Sequence, residues 1–195
     1  RPIEYTEKLG SAQCKSAVML AALKCPGITK IKARKSRNHT EIFFKNLNIP
    51  IKVSSRKYYD YIEVLGETNF KGFDYSVPGD ISSSSFFIAL ALLSDKSKLT
   101  IKNINTNSSR TGVIKILNKM NANIKLKNRK KYKGESISDL VIESKKELKG
   151  IDCPSHLNSS AIDEFLILFL VAAKAKGIST FKDLEELNKK ESPRL

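Results

Sequence analysis

The chain is short of the residues that would mark several common functions. Histidine occurs twice, at His39 and His156, too few and too scattered for a metal site. The three cysteines, Cys14, Cys25 and Cys153, are an odd number without metal-ligand spacing. That pattern argues against a disulfide framework and reads as reduced thiols in a cytoplasmic protein. Aromatic residues make up 8%, and no alternation of aromatic and basic side chains offers a base-stacking platform. No apolar run approaches the roughly 18 residues of a membrane span. The best stretch, Phe165 to Ala173, is nine residues long and flanked by charge. The opening "RPIEYTEKLG" lacks the basic-then-apolar order of a signal peptide, and it lacks an initiating Met. The expectation is an internal fragment of a longer protein.

Acid is also scarce: 20 Asp and Glu against 35 Lys and Arg leave a net charge of +15. An excess of this sign suits an anionic partner, either nucleic acid or a small anionic substrate. The basic residues are spread along the chain. Runs such as "KNRKKYK" (127–133) lie between strand-like segments, so most lysines read as solvated surface. A small anionic substrate is the favoured partner, with neither nucleic acid nor membrane expected.

What is present is a repeat. "SAQCKSAVMLAALK", "GITKIKA" and "RKSRNHTEIFFKNLNIPIKV" follow one another, and "ISSSSFFIALALLS", "KLTIKNI" and "NTNSSRTGVIKILNKMNANIKL" repeat the order. "SAIDEFLILFLVAAKAKG", "ISTFKDL" and "EELNKKESPRL" begin it a third time. Each unit reads as an apolar helix, a short strand, a polar turn with an Arg, an amphipathic helix and further strand. About 70 to 80 residues separate Ser11, Ser82 and Ile162. The first helix of each unit is apolar nearly all round and should be interior. The strands alternate: Ile31 and Ala33 against Lys30 and Lys32, Leu99 and Ile101 against Lys98 and Lys102. The second helix spaces Ile114, Ile116, Leu117 and Met120, with Lys115 and Lys119 outside.

Such a unit cannot cover its own inner helix, so several units must pack these helices together beneath their sheets. The expected fold is α/β, built of repeated βαββαβ-type units with buried parallel helices and solvent-facing sheets. "VPGD" (77–80) is the expected join, dividing the chain into 1–78 and 79–195. Parallel inner helices would bring their N-termini to one face, where unsatisfied N–H groups favour anions. Ser11 would cap the first of them and Gln13 would point outward from its first turn. The matching mouths are Ser82 to Ser85 and Ser159 to Asp163, the latter with a capping-box spacing at Ser160. Arg37, Arg110 and Arg194 lie in the turns that follow.

The segments "GSAQCKSAVMLAAL" (10–23), "SRNHTE" (36–41), "VPGDISSSSFFIALALL" (77–93), "SSRTGVIKIL" (108–117), "IDEF" (162–165) and "LEEL…KESPRL" (184–195) together resemble the 3-phosphoshikimate 1-carboxyvinyltransferase, or EPSP synthase, family. The similarity runs over the whole chain in the family's order. It implies a two-domain inside-out α/β fold, here the C-terminal part of the first domain (1–78) and the first part of the second (79–195). It implies transfer of the enolpyruvyl group of phosphoenolpyruvate to the 5-hydroxyl of shikimate 3-phosphate, with release of phosphate. It implies no metal and no organic cofactor, a cytoplasmic setting and a monomer at full length.

The resemblance also implies roles. Ser11, Ala12, Gln13, Ser36 and Arg37 would hold shikimate 3-phosphate, with Gln13 reaching phosphoenolpyruvate as well. Asp163 would contact the acceptor hydroxyls and take the 5-hydroxyl proton, and Lys190 would lie near the acceptor. Glu191 would protonate the methylene carbon, and Arg194 would grip phosphoenolpyruvate, as a planar fork suits. Two carboxylates with different tasks fit a reaction that gives a proton to carbon and takes one from oxygen. Pro193 stands where the family carries Asp, and Glu186 receives no role. The family's remaining phosphate-binding Lys, Ser and Arg motifs are not in these 195 residues, so the fragment alone is expected to be inactive. The rival readings are the transferase that moves enolpyruvate to UDP-N-acetylglucosamine and a basic nucleic-acid-binding domain. "SAQ" with "KES..RL" favours the shikimate branch.

Overall fold

The computed structural model describes residues 1–144 and 147–189. The chain forms two compact units, Arg1–Ser76 with Tyr132–Glu135, and Val77–Lys131 with the chain from Ser136 on.

In the first unit the elements are β1 (Glu4–Glu7), α1 (Ala12–Ala22), β2 (Ile28–Arg34), α2 (His39–Asn46), β3 (Ile51–Ser55) and β4 (Tyr59–Leu65). The sheet order is β1-β2-β4-β3, with β1 parallel to β2 and the other pairs antiparallel. The expected alternation along β2 holds. Thr29, Ile31 and Ala33 are buried and lie across from Val64, Ile62 and Asp60, while the lysines between them face water. Met19 and Ala22 of α1, Phe44 of α2 and Ile49 close the core over that face. Each large side chain buried this way contributes about 1.5–3 kcal/mol.

The second unit repeats the order with α3 (Ile81–Leu93), β5 (Lys98–Asn105), α4 (Gly112–Lys119), β6 (Asn123–Tyr132) and β7 (Glu135–Glu143). A 3₁₀ turn over Ser155–Ser160 leads into α5 (Phe165–Lys174), and another covers Glu185–Lys189. The sheet order is β5-β7-β6. In β5 the alternation slips at an irregularity between Ile101 and Ile104, leaving Leu99 and Ile101 half-buried and Ile104 buried. Ile81, Ile88, Val113, Ile116, Leu117, Leu140, Phe165 and Leu168 are among the side chains of its core.

The two copies share a detail finer than element order. α2 is followed by Asn48 at φ 56° and α4 by Asn121 at φ 70°. Asn48 N–H donates to Lys45 O and Ile49 N–H to Phe44 O; Asn121 N–H donates to Asn118 O and Ala122 N–H to Leu117 O. Both helices therefore stop in a Schellman motif, with Asn supplying the left-handed residue and an apolar residue folding back on the helix.

Two expectations are corrected. The lysine run at 127–133 is not a connection between strands: it forms most of β6 and the turn after it. Lys133 and Gly134 both have positive φ (48° and 84°), so they make a tight two-residue hairpin. β6 is an edge strand, where exposed lysines stay solvated and discourage pairing with another chain. Secondly, "ISTFKDL" (178–184) forms no ladder among the described residues; its Thr180 makes an isolated parallel bridge with Asp152, and Lys176 just before it bridges Lys149. Gly177, at φ 94°, turns the backbone between them. Within the described residues each inner helix buries one face and leaves apolar side chains exposed on another. α1 buries Lys15, Met19 and Ala22 but exposes Leu20. α3 buries Ile81, Ile88 and Leu92 but exposes Phe86, Phe87 and Leu90, and α5 exposes Leu166 and Leu170.

Candidate functional site

The mouth of α1 is built by the end of β1. Glu7, 3% exposed, accepts the N–H groups of Leu9 (2.8 Å) and Gly10 (2.7 Å), which turns the chain at Gly10 (φ 84°) into the helix. Ser11 is the N-cap, in extended conformation, and its Oγ accepts the Cys14 N–H at 3.2 Å. Gln13 is exposed on the first turn, as expected from its position. No acidic side chain stands in that first turn, whose leading N–H groups and positive helix end favour an anion.

The Ser36–Arg37 turn is tied to this mouth. Lys15, wholly buried, donates from Nζ to the Arg37 carbonyl at 2.8 Å and pairs with Glu41 Oε1 at 2.6 Å. One turn along, Ser16 and Thr40 share a hydroxyl hydrogen bond of 2.6 Å. The first turn of α1 and the start of α2 are thus joined through three polar contacts. The contacts run from Lys15 and Ser16, in the helix that opens with Ser11, Ala12 and Gln13, to the Arg37 carbonyl, Glu41 and Thr40. Ser36 Oγ is buried without a hydrogen-bond partner among the described residues. His39, two residues on, pairs through Nδ1 with the buried Glu135 at 2.6 Å.

The second unit answers differently. The N-cap of α3 is Asp80, not one of the serines. Its carboxylate accepts Ser83 N–H (2.8 Å) and Ser83 Oγ–H (3.0 Å) and pairs with Arg110 Nη2 at 2.7 Å. Burial alone would raise its pKa; the Ser83 amide, the Arg110 guanidinium and the Ser83 hydroxyl outweigh that and hold the carboxyl below its ordinary value. Ser84 and Ser85 are buried and donate back to Asp80 O and Ser82 O. The expectation that this mouth and Arg110 await an external anion therefore gives way: the anion is built in.

Arg110 Nη2 also donates to Ser82 Oγ at 2.6 Å, and Ser82 Oγ–H donates to the buried carboxylate of Glu164. Asp163 stands beside Glu164, half-buried, between the 3₁₀ turn and α5. Gly112 allows that turn to approach: a Cβ there would lie 2.5 Å from Ser160 Oγ and 2.7 Å from Ser160 C. The capping box read at Ser160 does not form; its hydroxyl donates to Leu157 O, and α5 starts at Phe165. Lys190, Glu191 and Arg194 lie outside the described residues. Sequence reasoning missed Lys15, Glu41, Asp80 and Glu164. The available signal for Lys15 was a lone cation inside an apolar helix, which burial obliges to find a partner.

Among the described residues no group of three His, Cys, Asp or Glu side chains gathers as a metal site, and no helix is long and apolar enough to cross a membrane. Fold and site define first a class, an α/β protein of repeated helix–strand–helix–hairpin units with small polar side chains at a helix mouth. The chain belongs to the EPSP synthase (3-phosphoshikimate 1-carboxyvinyltransferase) family, whose sequence model matches residues 1–195. It is 40% identical over 196 residues to the 3-phosphoshikimate 1-carboxyvinyltransferase of Petrotoga mobilis, a match over 100% of this chain and 44% of that protein. With the Ruthia magnifica protein of the same name the identity is 41% over 194 residues, 99% of this chain and 43% of the relative. The 2.37 Å structure of EPSP synthase from Acinetobacter baumannii superposes with TM-score 0.88 at 34% identity, over 100% of this chain and 43% of that one. The chain spans less than half the length of the relatives it matches.

Proposed function

We propose that this chain is part of an enolpyruvyl transferase that moves the enolpyruvyl group of phosphoenolpyruvate to the 5-hydroxyl of shikimate 3-phosphate and releases phosphate. The observation that carries the reading is the tie between the α1 mouth and the Ser36–Arg37 turn, in a chain that matches the family from end to end. Helix N–H groups, serine hydroxyls and an arginine are groups that suit a phosphate dianion. Ser11, Ala12, Gln13, Ser36 and Arg37 take the phosphate of shikimate 3-phosphate in this reading, and Gln13 also meets phosphoenolpyruvate. Lys190 lies near the acceptor and Arg194 holds the phosphoenolpyruvate anion.

The 5-hydroxyl oxygen adds to C2 of the enol while C3 takes a proton, and loss of phosphate and of one C3 proton restores the double bond. Asp163 accepts the hydroxyl proton and Glu191 supplies the one to carbon. The reading includes residues 1–78 as the end of one domain and 79–195 as the start of the next. It also includes a full-length monomer, in a cytoplasm that keeps Cys14, Cys25 and Cys153 reduced, with no metal, organic cofactor or nucleic-acid partner.

Two measurements test it. Phosphate release from the purified 195-residue chain should stay at background. When the sequence is carried in a complete enzyme of the family, Asp163→Ala and Glu191→Gln should each lower turnover about a hundredfold or more. Near-wild-type rates in both variants would overturn the assigned roles.

A further inference from the structure

Lys15 and Glu41 form the most deeply buried ion pair of the described residues, with side chains 0% and 5% exposed. A buried pair is a poor way to gain stability, because desolvation of both ions offsets their attraction and an apolar pair of similar volume often does as well. Its presence here therefore asks for a geometric reason. The contacts supply one. Lys15 sits one helical turn after Ser11, and its Nζ reaches two points of the neighbouring segment, the carboxylate of Glu41 and the carbonyl of Arg37. An apolar side chain could fill the space but has no donor for that carbonyl.

The pairing also settles charge. The ammonium is matched by Glu41, so Lys15 fixes the turn without itself adding a net charge at the mouth. Ser36, one residue before the gripped carbonyl, keeps a buried Oγ without a partner among the described residues. Such an atom costs free energy unless something else satisfies it, as a phosphate oxygen would.

We propose that Lys15 and Glu41 are positioning residues: they hold the Ser36–Arg37 turn against the mouth of α1 and so set the preference for a phosphorylated over an unphosphorylated acceptor. The inference rests on the proposed function and names residues to which the family resemblance gave no role.

The test carries this sequence in a complete, isotope-labelled enzyme of the family and titrates it with shikimate 3-phosphate and, separately, with shikimate, following amide shifts. The variants are Lys15→Met/Glu41→Leu and Glu41→Gln, with thermal unfolding recorded for each. The double variant should keep its melting temperature within a few degrees yet bind shikimate 3-phosphate roughly tenfold or more weakly, with shikimate unchanged. A loss that merely tracked stability would vanish in this variant, since packing is restored. Affinity within about twofold of wild type, or equal losses for both ligands, overturns the inference. Should the double variant fail to fold, Glu41→Gln decides: a displaced Arg37 amide with weaker phosphate-ligand binding supports the inference, and no change in either sinks it. Absence of binding by the complete enzyme with Lys15 and Glu41 intact overturns instead the proposed function, and the inference falls with it.

Discussion

α1 opens on Ser11 and α3 on Asp80, and from there the two units treat the same design in opposite ways. Each has an apolar helix, a strand, an Arg-bearing turn and an amphipathic helix that stops on an asparagine. At α3 the positive helix end meets its own carboxylate, and Arg110 completes that internal pairing. At α1 the cap is a neutral hydroxyl, no acid stands in the first turn, and the buried Lys15–Glu41 pair holds the turn that carries Arg37. Similar sequence grammar thus yields one mouth that is electrostatically complete and one that suits an added anion. The difference lies in which residue precedes the serines and where the charged partner reaches.

The comparison can be broken from either side. The largest effect should come from Lys15→Met alone, which leaves Glu41 buried without its counter-charge. Denaturant unfolding followed by a first-unit probe should show a loss of about 3–5 kcal/mol. A loss below about 1 kcal/mol would mean the pair is not desolvated as the geometry implies. Arg110→Met should cost less, about 1–2 kcal/mol, because Asp80 keeps its Ser83 contacts and is partly open to water. It should leave anion binding at the α1 mouth unchanged, whereas a parallel loss there would couple the two mouths.

The smallest effect is on pH dependence. The Asp80 carboxyl is held below its ordinary value in the folded chain, so its contribution is present above that value and disappears as pH falls through the lowered one. Asp80→Asn should flatten that part of the acid limb of a stability profile and leave the neutral range little changed. An unaltered acid limb would remove Asp80 as its source.

Much of the fold was legible because periodicity reports which face of an element meets the core. The units α1-β2-α2-β3-β4 and α3-β5-α4-β6-β7 both follow the pattern read from helix and strand spacing. Less legible was anything that depends on a partner distant in sequence. The parallel pairing of β1 with β2 has no local signature. The lysines of β6 read as surface, which is true of an edge strand and equally of a loop. "ISTFKDL" looked like a strand but, among the described residues, has a single bridging residue, Thr180. The site divides similarly. Ser11 capping and Gln13 exposure follow from helix geometry, whereas the tie from Lys15 to Arg37 spans 22 positions and pairs side chains that sequence spacing cannot align.

The contrast between the two mouths is tested most directly by carrying this sequence, isotope-labelled, in a complete enzyme of the family, titrating in shikimate 3-phosphate and reading every amide at once. Shifts at Ala12, Gln13, Cys14 and Arg37, with Ser82, Ser83 and Ser84 unmoved, are the expected result. Shifts at the first turn of α3, or a silent first turn of α1, would contradict it.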